Sequence, residues 1–192
     1  MELKGYRRNP KERARTEDLL EIIPRGRSTV LDIGARDGYI SGLLTRRFEA
    51  VTALDLEKPG FDIPRVRTVK GDVTDLEFPD DHFDAVFCSE VLEHIPPALL
   101  GRACSEIARV AKYDVVIGVP YRQDTRVGRT TCVTCGRKNP PWGHVNTFDE
   151  AGLKHLFKAI THTLTTYVGE TKERQNALSA WCLQVPVFLP DP

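Results

Sequence analysis

Val30-Leu31-Asp32-Ile33-Gly34-Ala35-Arg36-Asp37-Gly38-Tyr39 is the stretch on which the reading of this chain turns. Val30 to Ile33 is an apolar, β-branched run that reads as a buried strand. Two glycines then break the pattern, and Ile40-Ser41-Gly42-Leu43-Leu44 resumes with helical spacing. Strand, glycine turn and helix in that order form the mouth of a nucleotide-type pocket. The backbone there must turn tightly and come close to its ligand, where a Cβ would stand in the way.

The glycine spacing narrows the ligand. A dinucleotide fingerprint places glycines at the first, third and sixth positions of the turn. Counted from Gly34, those later positions hold Arg36 and Tyr39, so the fingerprint fails. The stretch instead resembles motif I of the class I S-adenosylmethionine-dependent methyltransferases, an acidic residue followed by Gly-x-Gly-x-Gly. Asp32, Gly34 and Gly38 match, and Arg36 replaces the middle glycine. The resemblance implies an α/β, Rossmann-like fold with a seven-stranded, mostly parallel sheet, helices on both faces and an antiparallel last strand. It also implies that Asp32 stands near the cofactor's methionine amino group, with the turn residues Gly34, Ala35 and Gly38 beside it.

The following strands carry the next matches. Ala50 to Asp55 reads as the second strand and ends in a carboxylate, in the window roughly 20 residues beyond the glycine turn. A carboxylate there can accept from two adjacent ribose hydroxyls, with Leu56 alongside; the bland alternative is an Asp that caps the next turn. Val66 to Lys70 reads as the third strand and runs into Gly71-Asp72-Val73. In the family this Asp accepts from the adenine amine while its neighbours contact the ring. Phe83 to Phe87 is the fourth strand. It continues into Cys88-Ser89-Glu90-Val91-Leu92-Glu93-His94-Ile95-Pro96, similar to the post-strand-four motif of the type 11, ubiquinone-biosynthesis-like group. There the strand end, here Ser89, lines the methyl-transfer site.

Composition sets outer bounds. At 192 residues the chain suits one domain, read as an N-terminal arm and helix over 1–27 and a methyltransferase domain over 28–192, with a basic insertion at about 121–147. Lys plus Arg equal Asp plus Glu, at 27 each, so net charge gives no case for nucleic-acid or membrane binding. Nothing approaches a bilayer-spanning run, and a charged N-terminus is unlike a signal peptide; the expected location is cytoplasmic. Residues 1–15, with Lys4, Arg7, Arg8, Lys11, Arg13 and Arg15, read as a solvated arm in preference to a lid over the cofactor or a contact for an anionic substrate. From Thr16 a capped amphipathic helix runs to Pro24.

Two clusters carry metal or acid–base chemistry. Glu90, Glu93 and His94 would share a face if helical and could ligate a divalent ion. Some methyltransferases hold a metal beside the substrate hydroxyl with such a Glu-x-x-Glu-His set, among them ubiquinone-pathway O-methyltransferases and enzymes that 2′-O-methylate small-RNA ends. In many type 11 members, by contrast, the glutamates cap helices and the histidine packs near the cofactor. In the insertion, Cys132-Val133-Thr134-Cys135-Gly136 resembles a zinc knuckle, and His144 follows as a third zinc ligand. His155, His162, Cys104 and Cys182 qualify as a fourth by residue type alone; the alternatives are free thiols or a reversible disulfide. His144 is also read as a structural histidine, as a fourth ligand of the Glu90 set, or as a general base, a role shared with His94.

The expectation is an S-adenosylmethionine-dependent methyltransferase acting on a small-molecule or sugar oxygen, with zinc or another divalent ion as a further cofactor. An anionic acceptor suits the basic insertion; nucleic acid is disfavoured by the net charge, although RNA would suit the same cations. No membrane partner is expected, and the oligomeric state is not legible. The second reading is a non-catalytic module that senses the cofactor or binds a partner, which Arg36 keeps open. A nicotinamide-dependent oxidoreductase is disfavoured by the glycine spacing.

Overall fold

The computed structural model describes residues 9–158, 160, 162–168 and 183–189. Helix α1 (Pro10–Glu21) precedes β1 (Thr29–Ile33), α2 (Tyr39–Leu44), β2 (Ala50–Asp55), β3 (Val66–Lys70) and β4 (Phe83–Ser89). Then follow α3 (Pro97–Val110), β5 (Ala111–Pro120), the short strands β6 (Thr130–Thr131) and β7 (Lys138–Asn139), α4 (Glu150–Leu156), β8 (His162–Val168) and β9 (Leu183–Leu189). The main sheet has the order β3-β2-β1-β4-β5-β9-β8. Strands β1 to β5 pair in parallel, and β9 is antiparallel to both of its neighbours. This is the mostly parallel α/β sheet that the motifs implied.

The strand order reverses between β1 and β4. Ligands of such sheets sit outside the carboxyl ends of the strands at that reversal. The register Asp32↔Phe87 and Ile33↔Cys88 brings the ends of β1 and β4 side by side, so the glycine turn and the Ser89–His94 segment face one crevice.

Both faces of the central strands β1, β4 and β5 are buried, which explains why these strands read as nearly continuous apolar runs. Leu31, Ile33, Val86 and Ile117 pack with Ala103, Ile107 and Val110 of α3 on one face. Val30, Val51, Ala85 and Phe87 pack with Leu19 and Ile23 on the other, where Leu44 and Phe48 join them. Full burial of such side chains contributes roughly 1.5–3 kcal/mol each.

Three boundaries differ from expectation. Helix α1 starts at Pro10, ahead of Thr16, because a proline in the first turn lacks only an N–H that no helical carbonyl would receive. The helix that the spacing predicts over about residues 38–48 ends at Leu44 as α2, and a turn with Phe48 N–H on Leu44 O replaces its last turn. Glu90 and Glu93 do not share a helical face. Glu90 still donates its N–H to Gly118 of β5 and has φ 60°, and the short 3₁₀ turn begins only at Leu92. The charged stretch Thr171 to Asn176, which reads in the sequence as a hairpin turn, lies outside the described residues, as does Cys182. Among the described residues no helix is long and apolar enough to cross a membrane.

Candidate functional site

The glycine turn is tied down before any side chain matters. The N–H groups of Gly34 and Ala35 both donate to Leu54 O at the end of β2, at 2.8 and 3.1 Å. Gly34 and Gly38 take φ of 81° and 78°, left-handed values that suit glycine. A Cβ at Gly34 would collide with Val91, and one at Gly38 would lie 2.7 Å from the Phe61 ring. Arg36, in the place of the middle glycine, also takes a positive φ of 50° and leaves its side chain exposed. The substitution therefore keeps the turn, at a modest conformational cost.

Asp32 at the end of β1 is 2% exposed and accepts a 2.5 Å hydrogen bond from Ser41 Oγ. Burial pushes its carboxyl up to about 7, Ser41 pulls the other way, and Asp55 adds to the rise. A cationic ligand group would relieve that burial cost by ion pairing. Asp55 is held from both sides: Arg36 N–H donates to Oδ2 at 2.9 Å and Leu56 N–H to Oδ1 at 2.8 Å. Its remaining lone pairs stay available to hydroxyls.

A cavity of about 150 Å³ opens over this turn. Of the ten expected cofactor residues, Asp32, Gly34, Ala35 and Ser89 line it. Gly38 caps α2 beside it. Asp55, Leu56, Gly71, Asp72 and Val73 continue along the ends of β2 and β3, outside the cavity wall. Asp72 Oδ1 accepts from both Thr74 N–H and Oγ1 at 2.8 Å, Val73 is buried in the core, and Leu56 is exposed.

The roof of this cavity comes from the N-terminal arm and helix, where the sequence favours a solvated arm over a lid. Arg15, Thr16 and Leu19 of α1 line it. The Arg15 side chain is only 12% exposed and reaches within 3.8 Å of Glu90 Oε1, so this arm residue is not solvated. A signal was present: Arg15 precedes the buried Leu19 by one helical turn, so the two share the inward face.

Beyond Ser89 lies a second cluster. One ligating atom each of Glu93, His94 and His144 falls within 4.8 Å of the others. Glu93 is fully buried, and neither of its carboxylate oxygens has a hydrogen-bond partner among the described residues. Burial, and next the Glu90 charge, push its carboxyl well up. The His94 and His144 rings meet edge to face at 4.7 Å. Burial, with the His94 charge second, holds His144 down at about 4, and burial also lowers His94. Both imidazoles are therefore neutral at pH 7. His144 Nδ1 meets Gln123 Oε1 at 2.5 Å. An oxygen there accepts, so Nδ1 carries the proton and Nε2 keeps its lone pair.

The insertion places His144. Val145 and Asn146 donate their N–H groups to Glu93 O, and Asn146 Nδ2 donates to Leu92 O and Ile95 O. These bonds staple the insertion's returning limb to the 3₁₀ turn.

Two expected ligand sets are corrected by this arrangement. His144 does not join Cys132 and Cys135: among the described residues the three-member group is Glu93, His94 and His144. The two thiols stand apart on the β6–β7 hairpin, where Cys132 N–H donates to Arg137 O. Glu90 is also absent from the group, because its positive φ sends it toward Arg15.

Residues 31–117 match a family model described as a methyltransferase domain. Over 81 residues the chain is 35% identical to an uncharacterized methyltransferase of Mycobacterium tuberculosis, covering 38% of this chain and 41% of that protein. It is 30% identical over 174 residues to a ubiquinone biosynthesis O-methyltransferase of Yersinia pestis, covering 83% of this chain and 61% of the relative. The chain thus spans only part of the curated relatives it matches. In fold it resembles the N-methyltransferase NodS of Bradyrhizobium japonicum in complex with S-adenosyl-L-homocysteine, with TM-score 0.70, 18% identity, and coverage of 96% of this chain and 89% of NodS.

Proposed function

We propose that this chain, in which residues 31–117 form a class I methyltransferase domain of the type 11 group, transfers a methyl group from S-adenosylmethionine to an oxygen of a small-molecule acceptor. The observation that carries the proposal is one continuous edge of the sheet with two chemistries. The buried carboxylate of Asp32 and the clamped carboxylate of Asp55 lie at one end, and the Glu93–His94–His144 cluster lies beyond Ser89 at the other.

Each group has a task. Asp32 pairs with the methionine ammonium, and Asp55 accepts from the ribose hydroxyls. Arg15, roofing the cavity, faces the methionine carboxylate. The S-adenosylmethionine sulfonium already activates its methyl, so the protein aligns the nucleophile and excludes water. The acceptor oxygen forms a bond to the methyl carbon while the carbon–sulfur bond breaks. The electron pair leaves on sulfur to give S-adenosylhomocysteine, and the hydroxyl proton passes to His144 Nε2.

The cluster also fits a divalent cation. A buried carboxylate without a hydrogen-bond partner, two neutral imidazoles and an oxygen acceptor on the far nitrogen of His144 are what such an ion requires. Glu93, His94 and His144 would hold it; His144 Nε2 would then be a ligand in place of the base, and the bound ion would make an acceptor hydroxyl acidic enough to lose its proton to solvent.

His144→Ala should slow methyl transfer about 100-fold or more while S-adenosylhomocysteine still binds within about twofold of wild type. The assay is release of S-adenosylhomocysteine across a panel of hydroxyl-bearing acceptors. Cofactor binding with no turnover on any of them would favour the non-catalytic, cofactor-sensing reading.

A further inference from the structure

Trp142 is the residue of the insertion that the chemistry above leaves unused. It is 49% exposed, yet its backbone is held at φ 53°, ψ 9°, between Pro141 and the left-handed Gly143. A bulky residue in that conformation is strained, and such strain persists where surrounding structure imposes it. What surrounds Trp142 is the site itself. Its ring centroid lies 5.9 Å from that of His144, tilted by 44°. Pro141 before it is buried, and Val145 and Asn146 after it are stapled to Glu93. A half-exposed indole thus stands beside His144 of the histidine cluster.

Charge gathers beside it. The insertion carries Arg122, Arg126, Arg129, Arg137 and Lys138 against a single carboxylate, Asp124, in a chain of zero net charge. Asp124 is held by Arg126 at 2.9 Å, and Arg122 reaches toward Asp149 and Glu150 at 4.0 Å. Arg126 and the nearby Arg129 share that one carboxylate, so the insertion's cations outnumber its acids five to one. The chain brings these cations back toward the tryptophan: a Cβ at Gly128 would lie 3.7 Å from Pro141 Cβ, and Arg137 and Lys138 precede the Pro140-Pro141-Trp142 stretch in sequence.

We propose that Trp142 is the stacking platform for the methyl acceptor, and that the acceptor is a planar-ring compound whose anionic group is taken by the cations of the 124–139 hairpin. The inference rests on the methyl-transfer reading and assigns its substrate class. Stacking on Trp142 sets the ring against the neighbouring His144, and the hairpin fixes which end of the acceptor enters. A nucleotide and an aromatic carboxylic acid share this chemistry.

The test begins with S-adenosylhomocysteine bound to the full chain. The complex is then titrated with adenosine 5′-monophosphate, adenosine and ribose 5-phosphate, and separately with 3,4-dihydroxybenzoate and catechol. The expected result is that one complete compound, ring plus anion, binds about tenfold or more tighter than its truncated partners. Its affinity should fall about tenfold or more in Trp142→Ala, largely survive in Trp142→Phe, and fall in Arg137→Gln/Lys138→Gln. Cofactor affinity should hold in all three variants, which also shows that they fold. The nucleotide and benzoate arms tell the two sources apart. Equal binding of complete and truncated compounds, or an unchanged affinity in Trp142→Ala, overturns the assignment. Failure of wild type to bind S-adenosylhomocysteine in the first step overturns the methyl-transfer reading beneath it, and is seen separately.

Discussion

The two ends of the crevice are positioned by different means. At the cofactor end, Asp32 and Asp55 terminate strands buried on both faces, and backbone amides or a buried hydroxyl fix their carboxylates. At the acceptor end, His144 and Trp142 belong to an insertion whose place is set by a few bonds, from Val145, Asn146 and His144 itself. A sheet edge fixes a side chain through its register, so one motif in the sequence locates it. A stapled loop fixes a side chain through partners distant in the chain. The contrast predicts that damage at one end should leave the other intact, and each variant below tests that separation.

The largest effect is expected from Asp55→Ala. It removes the acceptor for the Arg36 and Leu56 amides as well as the ribose contact, and affinity for S-adenosylhomocysteine should fall about 100-fold. Titration calorimetry reads the loss, and a cooperative melt shows that the fold survives. Undiminished affinity would move the cofactor away from this edge.

The pH dependence follows from Asp32. Its carboxyl sits at about 7 in the folded chain, so it pairs with an ammonium only as it ionises. Cofactor affinity should rise by up to about tenfold per pH unit toward pH 7 and level off above it. Asp32→Asn should flatten the profile. Folding responds in the opposite sense: a carboxyl raised on folding contributes stability below its ordinary value of 3.8, and that contribution is lost as pH rises through about 7. Between those values the Asn variant should lose less stability with rising pH than wild type, a difference that thermal melts across the range would register.

A smaller, selective effect is expected from Arg15→Gln. Affinity for S-adenosylhomocysteine should drop about tenfold, while a decarboxylated analogue should bind both proteins alike. If the analogue suffers equally, Arg15 serves the helix and not the ligand.

The smallest effect belongs to the hairpin thiols. Cys132→Ser/Cys135→Ser should change cofactor affinity less than about twofold and stability within about 0.5 kcal/mol, because His144 lies with Glu93 and His94 and not with them. A large loss of histidine-dependent turnover in that variant would join the two ends of the insertion after all.

Legibility followed the same division. Asp32, Gly34, Gly38 and Asp55 are legible through the resemblance to motif I and the strand-end position of each carboxylate, because a strand–turn–helix leaves the backbone few choices. Arg36 looked disruptive as a letter, but its backbone takes the conformation a glycine would. Glu90 and Glu93 were read as one helical face, and a single positive φ at Glu90 separated them. For His144 the sequence leaves several readings open, with the cysteines, with the Glu90 set, as a base or as a structural residue, and contacts distant in the chain, such as Asn146 on Leu92 and Ile95, decide its place in space. Arg15 was hidden by composition: in a basic arm it looked like one more solvated charge, and only its helical offset from Leu19 marked it as inward.

The most direct test of the account is calorimetric titration of the wild-type chain with S-adenosylmethionine and S-adenosylhomocysteine. The account predicts saturable one-to-one binding of both, lost in Asp55→Ala and retained in His144→Ala. Binding of neither ligand to a folded chain would contradict it.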